Sequence, residues 1–274
     1  MNFELLKDTK TRYFFIELLF VLAFGILILF VLAKVFRIHM TDGDLQIAVL
    51  LITVAQFLLV MKFLKKNNIK VTEIIGKPSK KKFIFEIPVT LVVTYIGSIG
   101  LILILLALVQ LVNPSILEGL ESSLTSSSVN MTSTFVVVIS IFSAAIVAPI
   151  VEEFIFRGIL MNRLYNKYGL LKSVIYSSLI FFIMHINPNP MLVCLGVSCA
   201  FLVYKYKSLI PSMILHACNN FIVSLRYVYD STENPSSSAF SADYSFFILG
   251  SILFSMYVLY LYISFRKCKV DKLL

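Results

Sequence analysis

Six side chains in this 274-residue chain combine reactive chemistry with surroundings that ought to exclude them. Glu152 and Glu153 close an apolar run that begins at Phe135 and is broken before them only by Ser140, Ser143 and Pro149. Arg157 follows one helical turn later. Each ionisable group at the centre of a membrane helix costs about 2.5–3.5 kcal/mol on insertion scales, so such residues read as functional by default. Three histidines occur in the chain. His39 sits beside Met40 in a loop and reads as solvated or interfacial. His185 and His216 lie in apolar segments, and Asn220 follows His216 by one turn. A carboxylate, two imidazoles and an amide in a dry cavity suit the activation of water. The carboxylate takes a proton from the water, and the remaining donors stabilise an oxyanion on a carbonyl.

Spacing supports a single site. Glu152 lies before Arg163, His185 after Lys172 and His216 after Lys207, each by a segment that places it roughly 13–20 Å above its basic boundary. Three segments therefore bring polar groups to one layer near the middle of the membrane. Glu153 and Arg157 are four apart and share a helix face, which predicts a structural ion pair. Glu152 points about 100° away and is left for the cavity. Asn220 shares a face with His216, whereas Asn219 faces a neighbouring helix contact. Glu152, His185 and His216 would also serve as three ligands of an open zinc site. Because Asn220 is a poor zinc ligand and a good oxyanion donor, water activated without essential zinc is the favoured form. No Gly-x-Ser-x-Gly turn accompanies the nearby serines, so a serine nucleophile fits less well.

The elements that must hold these residues are helices in a bilayer. The chain is 59% hydrophobic and 14% charged, with a mean hydropathy of +0.91. Soluble domains are about a quarter charged, so the expected fold class is all-α, a polytopic membrane protein. Eight spans are expected, near Phe14–Phe36, Leu45–Leu64, Phe83–Val112, Thr134–Leu160, Ser173–His185, Met191–Tyr204, Leu209–Tyr227 and Tyr244–Phe265. The fifth and sixth are short for a span. If eight helices alternate, 21 of the 24 lysines and arginines fall on one side. The opposite loops, Asn113–Ser133 and Asp230–Asp243, are acidic and rich in Ser and Thr. The positive-inside rule then places both termini in the cytoplasm of a multi-pass cell-membrane protein. The net charge of +9 is explained by this topology, and no nucleic acid is implied. Residues 1–133 supply three N-terminal helices, 134–228 the catalytic core with its four-helix cavity, and 229–274 a loop and the last helix. The N-terminus reads as a retained first helix without a cleavage site. Cys194, Cys199, Cys218 and Cys268 form no Cys-x-x-Cys pair, and the membrane cysteines read as buried reduced thiols.

The ordered segments Ala148–Gly158, Phe181–His185 and His216–Asn220 resemble the Glu-Glu-x-x-x-Arg, Phe-x-x-x-His and His-x-x-x-Asn motifs of one family. This is the CAAX-protease and bacteriocin-processing (CPBP, or Abi) family of intramembrane endopeptidases. The similarity covers about Thr134–Tyr227. It implies an eight-helix membrane protease whose cavity opens to the cytoplasm. Glu152 and His185 would activate water, and His216 and Asn220 would support the oxyanion. Members are described both as metalloproteases and as metal-independent glutamate proteases, which keeps zinc open as a cofactor. Bacterial relatives are linked to peptide maturation and bacteriocin self-immunity, eukaryotic ones to cleavage of prenylated proteins. The Lys/Ile/Asn-rich composition looks like that of a low-GC bacterium, where prenyl-protein cleavage is the less expected activity. The implied substrate is an apolar or membrane-associated peptide. Two other uses of the same residues stay open: a non-catalytic immunity or scaffold protein that sequesters a peptide, and a proton-coupled transporter.

Overall fold

The computed structural model describes residues 1–37, 41–112, 134–185, 189–230 and 244–270. Among these, every regular element is helical. In chain order they are α1 (Arg12–Lys34), α2 (Asp42–Lys66), the short α3 (Val71–Ile75), α4 (Phe83–Val112), α5 (Thr134–Tyr168), α6 (Leu170–Ile183), α7 (Met191–Tyr206), α8 (Ile210–Asp230) and α9 (Tyr244–Val270). The chain is a polytopic, all-helical membrane protein. Five helices (α1, α2, α4, α5 and α9) are long and apolar enough to cross a bilayer, and α6, α7 and α8 carry shorter apolar stretches. Large apolar side chains such as Phe20 and Phe85, 73% and 80% exposed, face outward. Lipid is the environment that accepts them.

The short α7 occupies the middle. α7 is buried over most of its length, including Cys194, Leu195, Cys199, Ala200, Phe201 and Leu202. It packs between α6, α8 and α4, while α5 contacts α2, α6 and α8. Helices of 14 and 16 residues reach only about 21–24 Å. Protein neighbours enclose α7 along that length, whereas α6 turns Leu171, Ile175, Leu179 and Ile183 outward. Outside α4 lies α9, where glycines let two backbones meet. A Cβ at Gly100 would approach the Phe254 nitrogen to 2.6 Å, and one at Gly250 would approach the Gly100 oxygen to 2.8 Å. α1 is peripheral, packing against α2 with the Phe14 and Phe63 rings 4.9 Å apart.

Several boundaries differ from the sequence expectation. α5 does not end near Leu160 but continues to Tyr168 and stops at Gly169, whose φ is +77°. Its polar last turns are held by main-chain carbonyls of the N-terminal segment: Asn162 Nδ2 donates to the Asn2 oxygen at 3.0 Å, and Arg163 Nη1 to the Leu6 oxygen at 3.2 Å. α2 starts at Asp42 because Thr41 closes a capping box with Asp44, which satisfies two terminal N–H groups. α3 was not expected as a separate element. It covers the α7–α8 turn, where the Leu209 amide donates to the Ile75 oxygen at 2.8 Å. The expected outer loops, 113–133 and 231–243, and His39 lie outside the described residues.

Candidate active site

α5 carries the two glutamates between two π-helical segments, Ser143–Val147 and Phe154–Met161. The first has a visible cause. Pro149 lacks an N–H and its ring would crowd the carbonyl four residues back, so a regular α register cannot run through it. Widening to i→i+5 relieves that conflict: the Ala148 amide donates to the Ser143 oxygen. In the same register the Ala144 carbonyl would bond the amide of residue 149, which is proline. Asn220 on α8 fills the gap, its Nδ2 donating to the Ala144 oxygen at 2.8 Å. Asn219 Nδ2 in turn donates to Asn220 Oδ1 at 3.1 Å. π-helical turns recur at functional sites, and here one sits directly before the reactive residues.

Glu153 and Arg157 are fully buried, and Arg157 Nη1 donates to Glu153 Oε1 at 2.8 Å. A second guanidinium nitrogen, Nη2, donates to the Gly196 carbonyl of α7 at 3.1 Å. The Arg157 guanidinium carbon lies 4.5 Å above the Phe181 ring. A guanidinium is charged under all ordinary conditions. Removed from water it needs this set: a carboxylate, a carbonyl and an aromatic face. Glu153 Oε1 also accepts from His216 Nδ1 at 3.1 Å. A carboxylate of this kind only accepts, so Nδ1 carries the hydrogen. The opposite ring nitrogen, Nε2, then faces Glu152 Oε2 at 3.6 Å. Arg157, Glu153, His216 and Glu152 thus form a continuous charged and polar chain across α5 and α8. Only Glu152 retains exposure, 24% of its side chain against 1% for His216.

The structure brings Glu152 and His216 together and places His185 differently. His185 lies two residues past the end of α6, and its Nδ1 bonds the Phe181 oxygen of that helix at 2.7 Å. Its ring lies edge-on to Phe181 with centroids 4.6 Å apart, and the same Phe181 ring meets His216 at 5.6 Å. Among the described residues His185 makes neither a hydrogen bond nor an ion pair with Glu152. Phe181 is the shared wall that orders Arg157, His185 and His216. Three neighbouring groups were not assigned to the site from the sequence. Phe181 was only part of a motif. The Gly196 carbonyl is a backbone group with no residue-type signal. Cys199 is a small apolar-looking residue one turn after Gly196.

Comparison with protein-family models matches residues 134–222 to the Rce1-like model, described as type II CAAX prenyl endopeptidase. The matched segment is similar to the CAAX-protease family. It runs from the start of α5 into α8 and contains each polar residue of the chain just described. Neither curated proteins nor solved structures gave a match.

A zinc ion held by Glu152, His185 and His216 can be tested against this geometry. The 3.6 Å between Glu152 and His216 suits two ligands of one tetrahedral ion with bonds of about 2.0–2.2 Å. His185 does not complete the set. Among the described residues, the one group of three with all ligand atoms within 4.8 Å is Glu153, Cys199 and His216. The donors of a catalytic zinc are not assembled, and the chemistry below runs through side chains.

Proposed function

We propose that this chain is an intramembrane endopeptidase of the CAAX type, hydrolysing an apolar or membrane-associated peptide with water activated at Glu152. The observation that carries this reading is the ordered chain Arg157–Glu153–His216–Glu152, which ends at the one partly exposed carboxylate. Its setting in an Rce1-like segment supports a protease. Glu152 Oε2 has no hydrogen-bond partner and is the acceptor we assign to the reacting water.

In the reaction Glu152 takes a proton from that water as the hydroxide adds to the peptide carbonyl. It then returns the proton to the departing amine. His216, in its imidazolium form and held through Nδ1 against Glu153, donates from Nε2 to the oxyanion. The second N–H of Asn220, beyond the one committed to Ala144, supplies another donor. His185, edge-on to Phe181, takes a place beside Glu152 once substrate fills the cavity; catalytic hydrogen bonds commonly tighten only in that complex. Residues 134–228 act as the catalytic core, and 1–133 and 229–274 flank it. Both termini face the cytoplasm of the cell membrane, and substrates of peptide maturation or bacteriocin self-immunity suit the site. The test is cleavage of a membrane-anchored peptide library in proteoliposomes, comparing the native protein with Glu152→Gln. Product formation by the native protein alone supports the reading; equal product from both removes Glu152 as the base.

A further inference from the structure

The hydrolytic reading leaves Cys199 without a task. This thiol is fully buried on α7. Its sulfur, a carboxylate oxygen of Glu153 and a ring nitrogen of His216 all lie within 4.8 Å of one another. The three donors come from three helices: α5, α7 and α8. Glu153 has a spare oxygen as well: Oε1 holds Arg157 and His216, whereas Oε2 is buried with no hydrogen-bond partner. Sulfur, imidazole nitrogen and one carboxylate oxygen are the ligand types of zinc and cadmium. Magnesium and calcium require shells made mostly of oxygen.

We propose that Glu153, Cys199 and His216 form an inhibitory site for a soft divalent cation, zinc foremost, embedded beside the reaction centre. Binding rests on the geometry of these three residues; its inhibitory sense rests on the roles proposed above for Glu152 and His216. Charge is conserved on entry. With Glu152 ionised, two carboxylates, the guanidinium and the imidazolium sum to zero. A divalent ion that displaces one proton from the thiol and one from the imidazolium leaves that sum unchanged. The proton balance follows the ligands. The cation takes the sulfur as thiolate, and that proton leaves to solvent. It takes the lone pair of His216 Nδ1, whose hydrogen moves to Nε2 in a neutral ring or leaves from an imidazolium. No electron is transferred, and Arg157 keeps Glu153 Oε1. With Nδ1 bound to metal, His216 is drawn off Glu153 and fixed with Nε2–H toward Glu152. Turned there, Nε2–H no longer reaches the oxyanion that it serves in the proposed reaction, and hydrolysis stops.

Cadmium titration of the purified full-length protein tests binding without any need for activity, because a cadmium–thiolate bond gives an ultraviolet charge-transfer band. One equivalent should saturate the band, and zinc should compete it away. The band should persist in a Cys194→Ala/Cys218→Ala/Cys268→Ala variant and vanish in Cys199→Ala. Cys199→Ser, which keeps the side-chain volume, repeats the test if alanine disturbs packing. In the cleavage assay, zinc should inhibit the native protein reversibly. Cys199→Ala should be less sensitive by more than the roughly 10–100-fold that loss of an outer-shell partner brings. No band in the native protein, or a band that survives in both Cys199 variants, overturns the site. A band with cleavage unchanged overturns the inhibitory role. Failure of the hydrolase reading is distinct from either: it would appear as no cleavage in metal-free native protein, with the band still deciding the site.

Discussion

Replacing Asn220 with alanine should reveal what the proline-induced π turn costs. The Ala144 carbonyl lies in a register where its backbone partner would be residue 149, and proline has no hydrogen to give. Asn220 Nδ2 supplies the missing bond at 2.8 Å. Asn220→Ala therefore leaves a carbonyl unsatisfied inside the protein, at a cost of about 1–3 kcal/mol. Pro149→Ala restores a backbone N–H that can reach the same oxygen. In that background the asparagine becomes redundant, and its removal should cost no more than about 1 kcal/mol. The double-mutant cycle should thus give a coupling energy of about 1–2 kcal/mol, well above the few tenths expected of independent sites. Reversible unfolding in mixed micelles, followed by helical circular dichroism, measures the four variants. If Asn220→Ala costs as much in the Pro149→Ala background as in the native one, the Ala144 carbonyl is not what Asn220 serves. Cleavage measured on the same four proteins separates its two tasks. Pro149→Ala should restore stability to Asn220→Ala without restoring turnover, because the oxyanion donor is still missing.

Three further outcomes are expected. Glu152→Gln should fold like the native protein and lose cleavage, whereas Glu153→Gln should lose about 3–5 kcal/mol of stability in the same micelle unfolding assay, because Arg157 is left buried without its carboxylate. Cleavage should survive dialysis against a strong chelator, with metal analysis of the active protein showing substoichiometric zinc; activity lost on chelation and restored by one equivalent of zinc would rename these residues as ligands. A single-cysteine variant at Lys77 should resist a membrane-impermeant thiol reagent added to intact cells and react after lysis, and efficient labelling from outside would invert the proposed topology.

What the sequence determined here is what local chemistry and periodicity control. Apolar runs long enough for a bilayer specify helices, because backbone groups in hydrocarbon must bond within their own segment. The positions of α1, α2, α4 and α9 follow from this with only end effects to correct. Spacing alone put Glu153 and Arg157 on one face, and the structure joins them at 2.8 Å. Tertiary structure decided the partners that come from elsewhere in the chain. His216 reaches Glu153 across 63 residues, Arg157 finds the carbonyl of Gly196, and Asn220 turns to the carbonyl of Ala144. Backbone acceptors carry no signature in residue type, so no motif could announce them. The proline that opens the π turn was visible, but which carbonyl it orphans depends on the hydrogen-bond register, and which side chain satisfies that carbonyl depends on how α8 lies against α5. His185 and Cys199 make the same point from opposite directions. Both are polarisable side chains on apolar helices, and only the packing of α6 and α7 around Phe181 and Glu153 sets the sulfur, and not that imidazole, among the close-packed donors.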